Sequence, residues 1–388
     1  MQKDFHYYAT YAAAILAGYT HAESLAICYS DQLTDLCSKS FLSKLGGPVS
    51  AATTQLAMEM ADARTDLVGR QDITRIWASF HFLPYDLNVA RKGCSKLYLH
   101  KYSLICNPNS DLVVETVNLG KSSLQATGIA MHVLADTWAH RYFAGTPSLV
   151  INNTDSWFFE LLPEGEGFRE RRITFRHNPT APDDLEKGIY TNSLFQASEN
   201  AIMNLGHGRA GHLPDYSFIR YKYLPAWGDY EEVIKDNPRD YYMAFCQMIE
   251  AMKALRGSAP AFEKDRYDFE AAAPYEEEIR AILEKRQPDA CEDWKAFGEK
   301  LSGQTVPDFD LQQYQKEYLD AAPEEKNGTF LGKYFLAALA QKSMVTNRIF
   351  RSGSLLAGFS VELGKKGFRG MRDFRALLEE ARKGDGHD

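Results

Sequence analysis

The 388-residue sequence has only six cysteines, and none of them forms a Cys-x-x-Cys pair. We therefore expect buried free thiols rather than a disulfide framework. Long apolar runs are also absent, because stretches such as Ala12–Ala17 fall far short of the ~20 residues of a membrane-spanning helix. The opening segment Met1–His6 lacks the basic and apolar regions of a signal peptide. These absences predict a cytoplasmic protein without a transmembrane segment.

An excess of positive charge is missing as well, since 44 Lys and Arg residues face 52 Asp and Glu residues and the net charge is −8. This balance argues against a protein that coats duplex nucleic acid. It leaves room for an enzyme that acts on phosphate esters, because bound cations can invert the local charge. With 45% hydrophobic and 12% aromatic residues, the chain is that of an ordinary globular protein with an aromatic-rich core.

Helical signals dominate the chain and predict a mainly α fold, a multi-helix bundle with an additional helical C-terminal region. We expect a helical domain over residues 1–256 and a helical extension over 257–388. Clusters of Pro, Gly and Asn at about 145–182 predict a long excursion with room for a strand pair, and residues 206–215 predict a loop. The predicted helices include Asp4–Gly18, a helix capped by Thr20 and Glu23, Ile73–Phe82, Ser122–Tyr142, Leu185–Leu205 and a helix that begins at Asn237.

The most informative motif is His132-Val-Leu-Ala-Asp136-Thr-Trp-Ala-His140. Residues four apart on an α-helix are offset by ~40° and rise by ~6 Å, so the three polar side chains share one face. A row of ~12 Å is too long for one ion but suits two or three ions in a line, with Asp136 as the bridging carboxylate. Without partners these groups would cost several kcal/mol to bury. The alternative is a set of core histidines bonded to backbone carbonyls.

Further candidate ligands lie elsewhere in the first two thirds of the chain. They are Asp4 and His6 on the first helix, Asp35 with Asp31 on the second, His81 in an apolar setting, and His207, His212 and Asp215 around a glycine-containing segment. Each also has a simpler interpretation as a helix-start charge, a solvated face residue or a loop residue. The set offers imidazole and carboxylate without cysteine, which favours Zn²⁺, with Fe, Mn or Ni as alternatives.

The same residues resemble those of the zinc-dependent phospholipase C and S1/P1 nuclease superfamily. The resemblance rests on the His-x3-Asp-x3-His helix, the N-terminal ligand helix and the later Gly-His segment. Two further segments, Asp-Phe-His-Tyr-Tyr-Ala-Thr-Tyr and Phe-His-Phe-Leu-Pro, resemble a bacterial family without an assigned activity, interpreted here as a distant branch of that superfamily. The resemblance spans about residues 1–255 and implies an all-α fold with a trinuclear zinc site that cleaves phosphate esters.

The resemblance also implies how the ligands are shared among the ions. One ion takes Asp35, His81, His132 and Asp136, and a second lies between Asp4, His6 and the shared Asp136. A third takes His140, His212 and Asp215, with His207 as a competitor.

The sequence departs from the superfamily pattern in three places. The superfamily uses the free amine of an N-terminal Trp, whereas this chain opens with Met1, so Asp4 must substitute or the site loses an ion. The spacing from Asp35 to His81 is longer than usual, which leaves Asp66 as a rival for Asp35. The last ligand pair is His-x2-Asp rather than His-x3-Glu.

The sequence thus predicts a metal-dependent hydrolase that cleaves a small phosphoric ester at a di- or trinuclear site. Asp35 or Asp136 is the expected catalytic carboxylate, which accepts a proton from the attacking water. The alternatives are a helical protein that binds metal or a small ligand without turnover, and an interaction scaffold formed by the charged helices after residue 260. The sequence does not indicate the substrate or the oligomeric state.

Overall fold

The computed structural model describes residues 1–56, 67–89, 102–146, 157–176, 182–192, 207–225 and 231–358. The chain begins with a π-helix, Asp4–Ala9, that continues into α1 (Thr10–Leu16). Helix α2 (His21–Thr34) begins at the predicted capping box, in which Thr20 and Glu23 bond to each other's backbone N–H. The further helices are α3 (Lys39–Leu45), α4 (Val49–Ala52), α5 (Leu67–Phe80), α6 (Asp111–Leu119), α7 (Leu124–Ala139), α8 (His207–Ala210), α9 (Asn237–Arg256), α10 (Phe269–Ala272), α11 (Glu276–Glu284), α12 (Cys291–Ser302), α13 (Gln312–Asp320) and α14 (Phe330–Arg351).

Within the described ranges six strands accompany the helices, so the expectation of a mainly α bundle is wrong. They are β1 (Phe159–Glu164), β2 (Gly167–Arg172), β3 (Thr174–Arg176), β4 (Ile189–Thr191), β5 (Arg220–Tyr223) and β6 (Val233–Asp236). An antiparallel sheet has the order β2-β1-β5-β6, and β3 and β4 form a small parallel pair. With about 56% helix and these two sheets, the fold is mixed α/β.

The strand pair expected at about 145–182 is present as β1 and β2, but the larger sheet around it escapes prediction because its strands are short and heavily charged. Strand β2, Gly-Phe-Arg-Glu-Arg-Arg, has no apolar alternation, and the strands β3 and β4 span three residues each. Strand β4 replaces the first part of the helix predicted over Leu185–Leu205, whose remainder from residue 193 lies outside the described residues. The predicted loop at 206–215 instead contains α8 and the 3₁₀ turn Leu213–Asp215. The helix predicted from Asn237 is confirmed as α9.

The hydrophobic interior has two parts that meet beside α7. The helices share one large cluster of buried side chains, to which the C-terminal helices contribute residues such as Trp294 and Tyr334. A second cluster lies under the sheet and includes Phe82, Phe143 and Tyr223. Helices on both sides of residue 257 share the first cluster, while the domain boundary there stays a prediction. No helix within the described ranges is long and apolar enough to cross a membrane.

Helix α14 carries a buried lysine that fixes the segment after α4. The ammonium of Lys342 donates to the backbone oxygens of Thr53, at 2.8 Å, and Ser50, at 3.2 Å. Burial lowers the pKa of this group to about 8, although the Asp72 carboxylate opposes the shift. The contact matters for the site described below, because the next backbone oxygen, that of Thr54, holds a histidine ring.

We predict that Lys342 makes the stability of the protein rise with pH. Between the folded pKa near 8 and the ordinary lysine pKa of about 10.4, the unfolded chain binds more protons than the folded chain. Wild type should therefore gain about 2 kcal/mol of unfolding free energy from pH 7 to pH 10 relative to Lys342→Met. Urea unfolding at each pH measures this difference, with the exposed Lys316→Met as the control. Parallel pH profiles for wild type and Lys342→Met would contradict the prediction.

Candidate metal centre

Helix α7 supplies the row of polar side chains on which the site is built. His132 and Asp136 lie on the helix and His140 directly follows its last residue. Their exposed fractions are 0%, 1% and 5%. Oδ2 of Asp136 lies 3.3 Å from Nε2 of His132 and 3.5 Å from Nδ1 of His140, so the carboxylate stands between the two imidazoles.

Helix α2 brings two aspartates against this row because it packs very closely on α7. Gly128 makes the approach possible, since a Cβ at this position would lie 2.3 Å from the backbone oxygen of Ile27 and 2.6 Å from Cβ of Ser30. Asp31 is fully buried, and its Oδ1 accepts a 3.1 Å hydrogen bond from Nδ1 of His132. Asp35 follows the end of α2 and lies nearer the surface.

Three ligand atoms form a compact triangle, which we call the central group. They are Nδ1 of His81, which directly follows α5, and Nε2 of His132 and Oδ2 of Asp136, which are both on α7. Their separations are 3.2 Å between the two nitrogens, and 3.1 Å and 3.3 Å from Oδ2 to His81 and His132. Oδ1 of Asp35 lies 3.8 Å from each of the two nitrogens. These spacings are those of atoms that could hold one metal ion.

The π-helix brings His6 to the opposite side of His132. The two rings stack with centroids 3.9 Å apart, and Nε2 of His6 lies 3.2 Å from Oδ1 of Asp136. His6, Asp35 and His132 form a second possible metal-binding set, the amino-terminal group. The α-amino group of Met1, at the start of this segment, donates to Oδ1 of Asp136 at 2.7 Å and lies 3.2 Å from Oδ1 of Asp215.

A third set, the rim group, consists of His140, His207 and Asp215. Nε2 of His140 lies 3.2 Å from Oδ1 of Asp215, and Nε2 of His207 lies 3.3 Å from Oδ2. His207 is on α8 and Asp215 is on the 3₁₀ turn that follows it. Side-chain exposures of 20% for His207, 15% for Asp215 and 23% for Asp35 mark the side from which solvent reaches the cluster.

The outer hydrogen bonds of the histidines fit a metal centre. His132 is held at Nδ1 by Asp31, His81 at Nε2 by the backbone oxygen of Thr54, and His140 at Nδ1 by the backbone oxygen of His81. A neutral ring that donates through one nitrogen keeps the other as a free electron pair, so in the neutral form each ring turns an acceptor toward a carboxylate. Metal-ligating histidines are oriented in this way.

His6 gives an independent indication. Its ring is fully buried, yet neither nitrogen makes a well-aligned hydrogen bond, although Nδ1 lies 2.7 Å from Oδ1 of Asp31. Nε2 of His207 is likewise buried without an aligned partner. Buried polar atoms without partners are costly, and a cation between the rings and the carboxylates would satisfy them.

The pKa shifts within the cluster show that its buried carboxylates strongly favour positive charge beside them. Burial raises the pKa of Asp136, but His140, the terminal ammonium and His132 outweigh it and hold the pKa well below its usual range. Burial lowers the pKa of His132, but Asp136 and Asp35 reverse the effect and raise it to about 10. Burial dominates at His140 and lowers its pKa to about 4, so that ring is neutral near pH 7, as a ligand must be.

The structure brings eight of the ten predicted ligands together, namely His6, Asp35, His81, His132, Asp136, His140, His207 and Asp215. Asp4 is not in the cluster, because its carboxylate accepts from the backbone N–H groups of Phe5 and Ala290 while the Met1 amine occupies the place expected for it. His212 instead contacts Asp183 and Tyr216. Asp66, the rival of Asp35, lies outside the described residues.

Asp31, which the sequence analysis names beside Asp35 but assigns to no ion, also belongs to the cluster. Its carboxylate contacts His132 and lies beside His6, and its Oδ2 accepts a 2.6 Å hydrogen bond from Thr10. A usable signal was its position one turn before Asp35, on the same face of α2 as a predicted ligand.

Comparison with protein families gives one match over most of the chain. A family model described as a family of unknown function, DUF6765, matches residues 1–349. The span includes all of the candidate ligands. Comparison with curated proteins and with solved structures gives no match.

We predict that Asp31→Asn lowers zinc affinity 10- to 100-fold, as removal of such orienting partners does. The amide leaves the side-chain volume unchanged but removes the charge that orients His132 and His6. Competition titration against a chromogenic chelator measures the affinity. Asp240→Asn is the matched control, because it removes a buried carboxylate that pairs with Lys235. Equal zinc affinity of wild type and Asp31→Asn would rule out the orienting role.

A second prediction concerns the packing of α2 on α7. Gly128→Ala should force these helices apart and lower the unfolding free energy by about 1–3 kcal/mol. It should also weaken zinc binding, because the hydrogen bond between Asp31 on α2 and His132 on α7 crosses this contact. Gly328→Ala is the control, since a Cβ there meets nothing within 4 Å. Urea unfolding with and without zinc tests both effects. The idea fails if Gly128→Ala behaves like Gly328→Ala.

Proposed function

The chain belongs to the DUF6765 family, and we propose that it is a metal-dependent hydrolase that cleaves a phosphoric ester at a di- or trinuclear site. The observation that carries the proposal is the common orientation of His81, His132 and His140. Each ring is fixed from outside through one nitrogen and turns the other toward a carboxylate, which is Asp136 for His81 and His132 and Asp215 for His140. A divalent cation in such a site would polarise the phosphoryl oxygens and lower the pKa of water.

Zinc is the metal that the donor set favours. Nitrogen and carboxylate oxygen suit Zn²⁺, and the described cysteines are buried thiols that belong to none of the three groups. Ligand atoms about 2.0–2.1 Å from a tetrahedral zinc lie about 3.3 Å apart. The separations of 3.1–3.3 Å within the central group agree with this geometry. Fe, Mn and Ni remain the alternatives.

The exposure of Asp136 and Asp35 suggests different roles for the two carboxylates. Asp136 is 1% exposed and is surrounded by the Met1 amine and by imidazoles, so it serves to hold charge. Asp35 has a side-chain exposure of 23% and can meet water on the open side. Asp35 is therefore the better candidate to accept a proton from the attacking water.

The resemblance to the phospholipase C and S1/P1 nuclease superfamily supports the same reaction class. Of the ligands which that resemblance implies, His6, Asp35, His132 and Asp136 belong to the helical part of the cluster, whereas Asp4 does not. The antiparallel sheet does not belong to an all-helical pattern, so the likeness concerns the site rather than the whole fold. A small phosphate-containing molecule that reaches the rim group is the proposed substrate.

One observation favours non-catalytic metal binding as a second candidate. Most of the ligands are nearly inaccessible, with His6 and His132 at 0% and His81 at 5% exposure. A cation at the amino-terminal group would meet no substrate there and would act to stabilise the fold. Among the described ligands, Asp35, His207 and Asp215 are the partly exposed ones.

Metal analysis and a substrate panel on one preparation separate these two functions. We expect at least one transition-metal ion per chain and zinc-dependent hydrolysis of phosphomonoesters or phosphodiesters, lost on chelation and restored by zinc. His132→Gln should lose both metal and activity. His21→Gln is the control, because that ring contacts Tyr11 rather than the cluster. Full zinc loading without turnover on any ester favours the non-catalytic function, and less than one ion per chain contradicts both.

A further inference from the structure

A buried aspartate and a half-exposed histidine form a pair outside the three metal-binding groups. Oδ2 of Asp183 accepts a 2.7 Å hydrogen bond from the Tyr216 hydroxyl and lies 3.4 Å from Nδ1 of His212. Oδ1 of Asp183 accepts from the backbone N–H of Thr191 at 2.6 Å. The Asp183 side chain is 3% exposed, whereas that of His212 is 51% exposed.

This geometry fixes the direction of the His212 ring. With Nδ1 turned toward Asp183, the other ring nitrogen, Nε2, is left for solvent or a ligand. The carboxylate is held by the Tyr216 hydroxyl and the Thr191 N–H, so it cannot follow the ring outward. An aspartate that orients a histidine through Nδ1 while Nε2 faces the reactants is a recurrent arrangement for proton transfer.

The pair lies next to the open side of the metal centre. His212 directly precedes the 3₁₀ turn Leu213–Asp215, and its backbone oxygen accepts from the N–H of Asp215 at 2.9 Å. In a 3₁₀ turn, side chains three residues apart are eclipsed, so His212 and Asp215 project from the same side. Asp215 is a member of the rim group, through which substrate would enter.

A close backbone contact maintains this placement. Gly211 has φ +59°, and a Cβ there would lie 2.1 Å from the backbone oxygen of Thr191 at the end of β4. The segment that carries His212 therefore packs directly on β4, whose Thr191 N–H donates a hydrogen bond to Asp183. The contact joins a residue of the sheet region to the rim of the helical metal centre.

We infer that His212 is the proton donor to the leaving group and that the substrate is a phosphoric ester of an unactivated alcohol. The inference rests on the proposed function. An alkoxide is too basic to leave unaided, so its departure is aided when a proton arrives as the P–O bond breaks. In that step water forms the new P–O bond and gives a proton to the base, the ester P–O bond breaks toward the leaving oxygen, and Nε2 of His212 supplies the proton that yields the alcohol.

The charges around His212 agree with this role. Burial raises the pKa of Asp183, but the bonds from His212, Tyr216 and the backbone outweigh it and lower the pKa below the ordinary value. Asp183 thus stays an anion that supports a protonated ring.

Paired substrates with different leaving groups test the inference on the zinc-loaded full chain. Ethyl 4-nitrophenyl phosphate is paired with diethyl phosphate, and 4-nitrophenyl phosphate with ethyl phosphate. A nitrophenolate leaves without a proton, whereas ethoxide needs one. His212→Gln should slow release of ethanol by about 10²- to 10⁴-fold while nitrophenol release changes less than about threefold and zinc content is unchanged. Asp183→Asn should give the same selectivity with a smaller loss, and His21→Gln should give none.

The outcomes separate the two proposals. If zinc-loaded wild type cleaves no ester, the proposed function and the inference both fall. If wild type is active but His212→Gln loses zinc, His212 is a metal ligand and the inference alone is overturned. An equal loss on both members of a pair, or no loss, overturns it as well.

Discussion

The constraint on which the structure depends is that its packed helices enclose negatively charged carboxylates. Asp31 and Asp136 are 0% and 1% exposed, and an ionised carboxylate in such a place is costly unless opposite charge lies against it. The Met1 ammonium, a protonated His132 and a bound cation are three ways to supply that charge. The fixed outer hydrogen bonds of His81 and His140 turn their inner nitrogens toward the carboxylates, so the cluster could hold a metal ion.

Helix packing sets the geometry of this charge cluster. At Gly128 the absence of a side chain lets α2 approach α7 to a distance that a single methyl group would prevent. The helices behind the site then control the second coordination layer, because Asp31 holds His132 and Lys342 holds the segment whose next oxygen holds His81. Ligand orientation is therefore a property of the packed core, and distant residues can alter metal affinity without touching the metal.

The sequence allowed prediction of features that a single element determines. The spacing of His132, Asp136 and His140 places them on one face wherever that helix lies, and the box at Thr20 specifies a helix start from four residues. The site around them is tertiary, since Asp31 and His132 are 101 positions apart and no local pattern reports their contact. The excursion at 145–182 had room for the pair β1 and β2, but the sheet that joins this pair to β5 and β6 was missed because those two strands span four residues each and carry little periodicity. Asp4 was expected at the cluster as the substitute for a terminal amine, but the Met1 amine itself donates to Asp136 while Asp4 accepts from the backbone of Phe5 and Ala290.

The sheet region determines what the metal centre can meet. The buried ligands come from helices or directly follow them, whereas His207 and Asp215 lie in the part of the chain between β4 and β5, beside the pair formed by Asp183 and His212. Under the proposed function, the helical part would govern which cations bind, and the sheet side would govern which molecules approach them. Because function resides in such sites rather than in folds, resemblance in the helical ligands speaks to reaction class. Under the proposed function, substrate choice would depend on the residues around the rim, where His212 contacts Asp183 and departs from the ligand set that the resemblance implies.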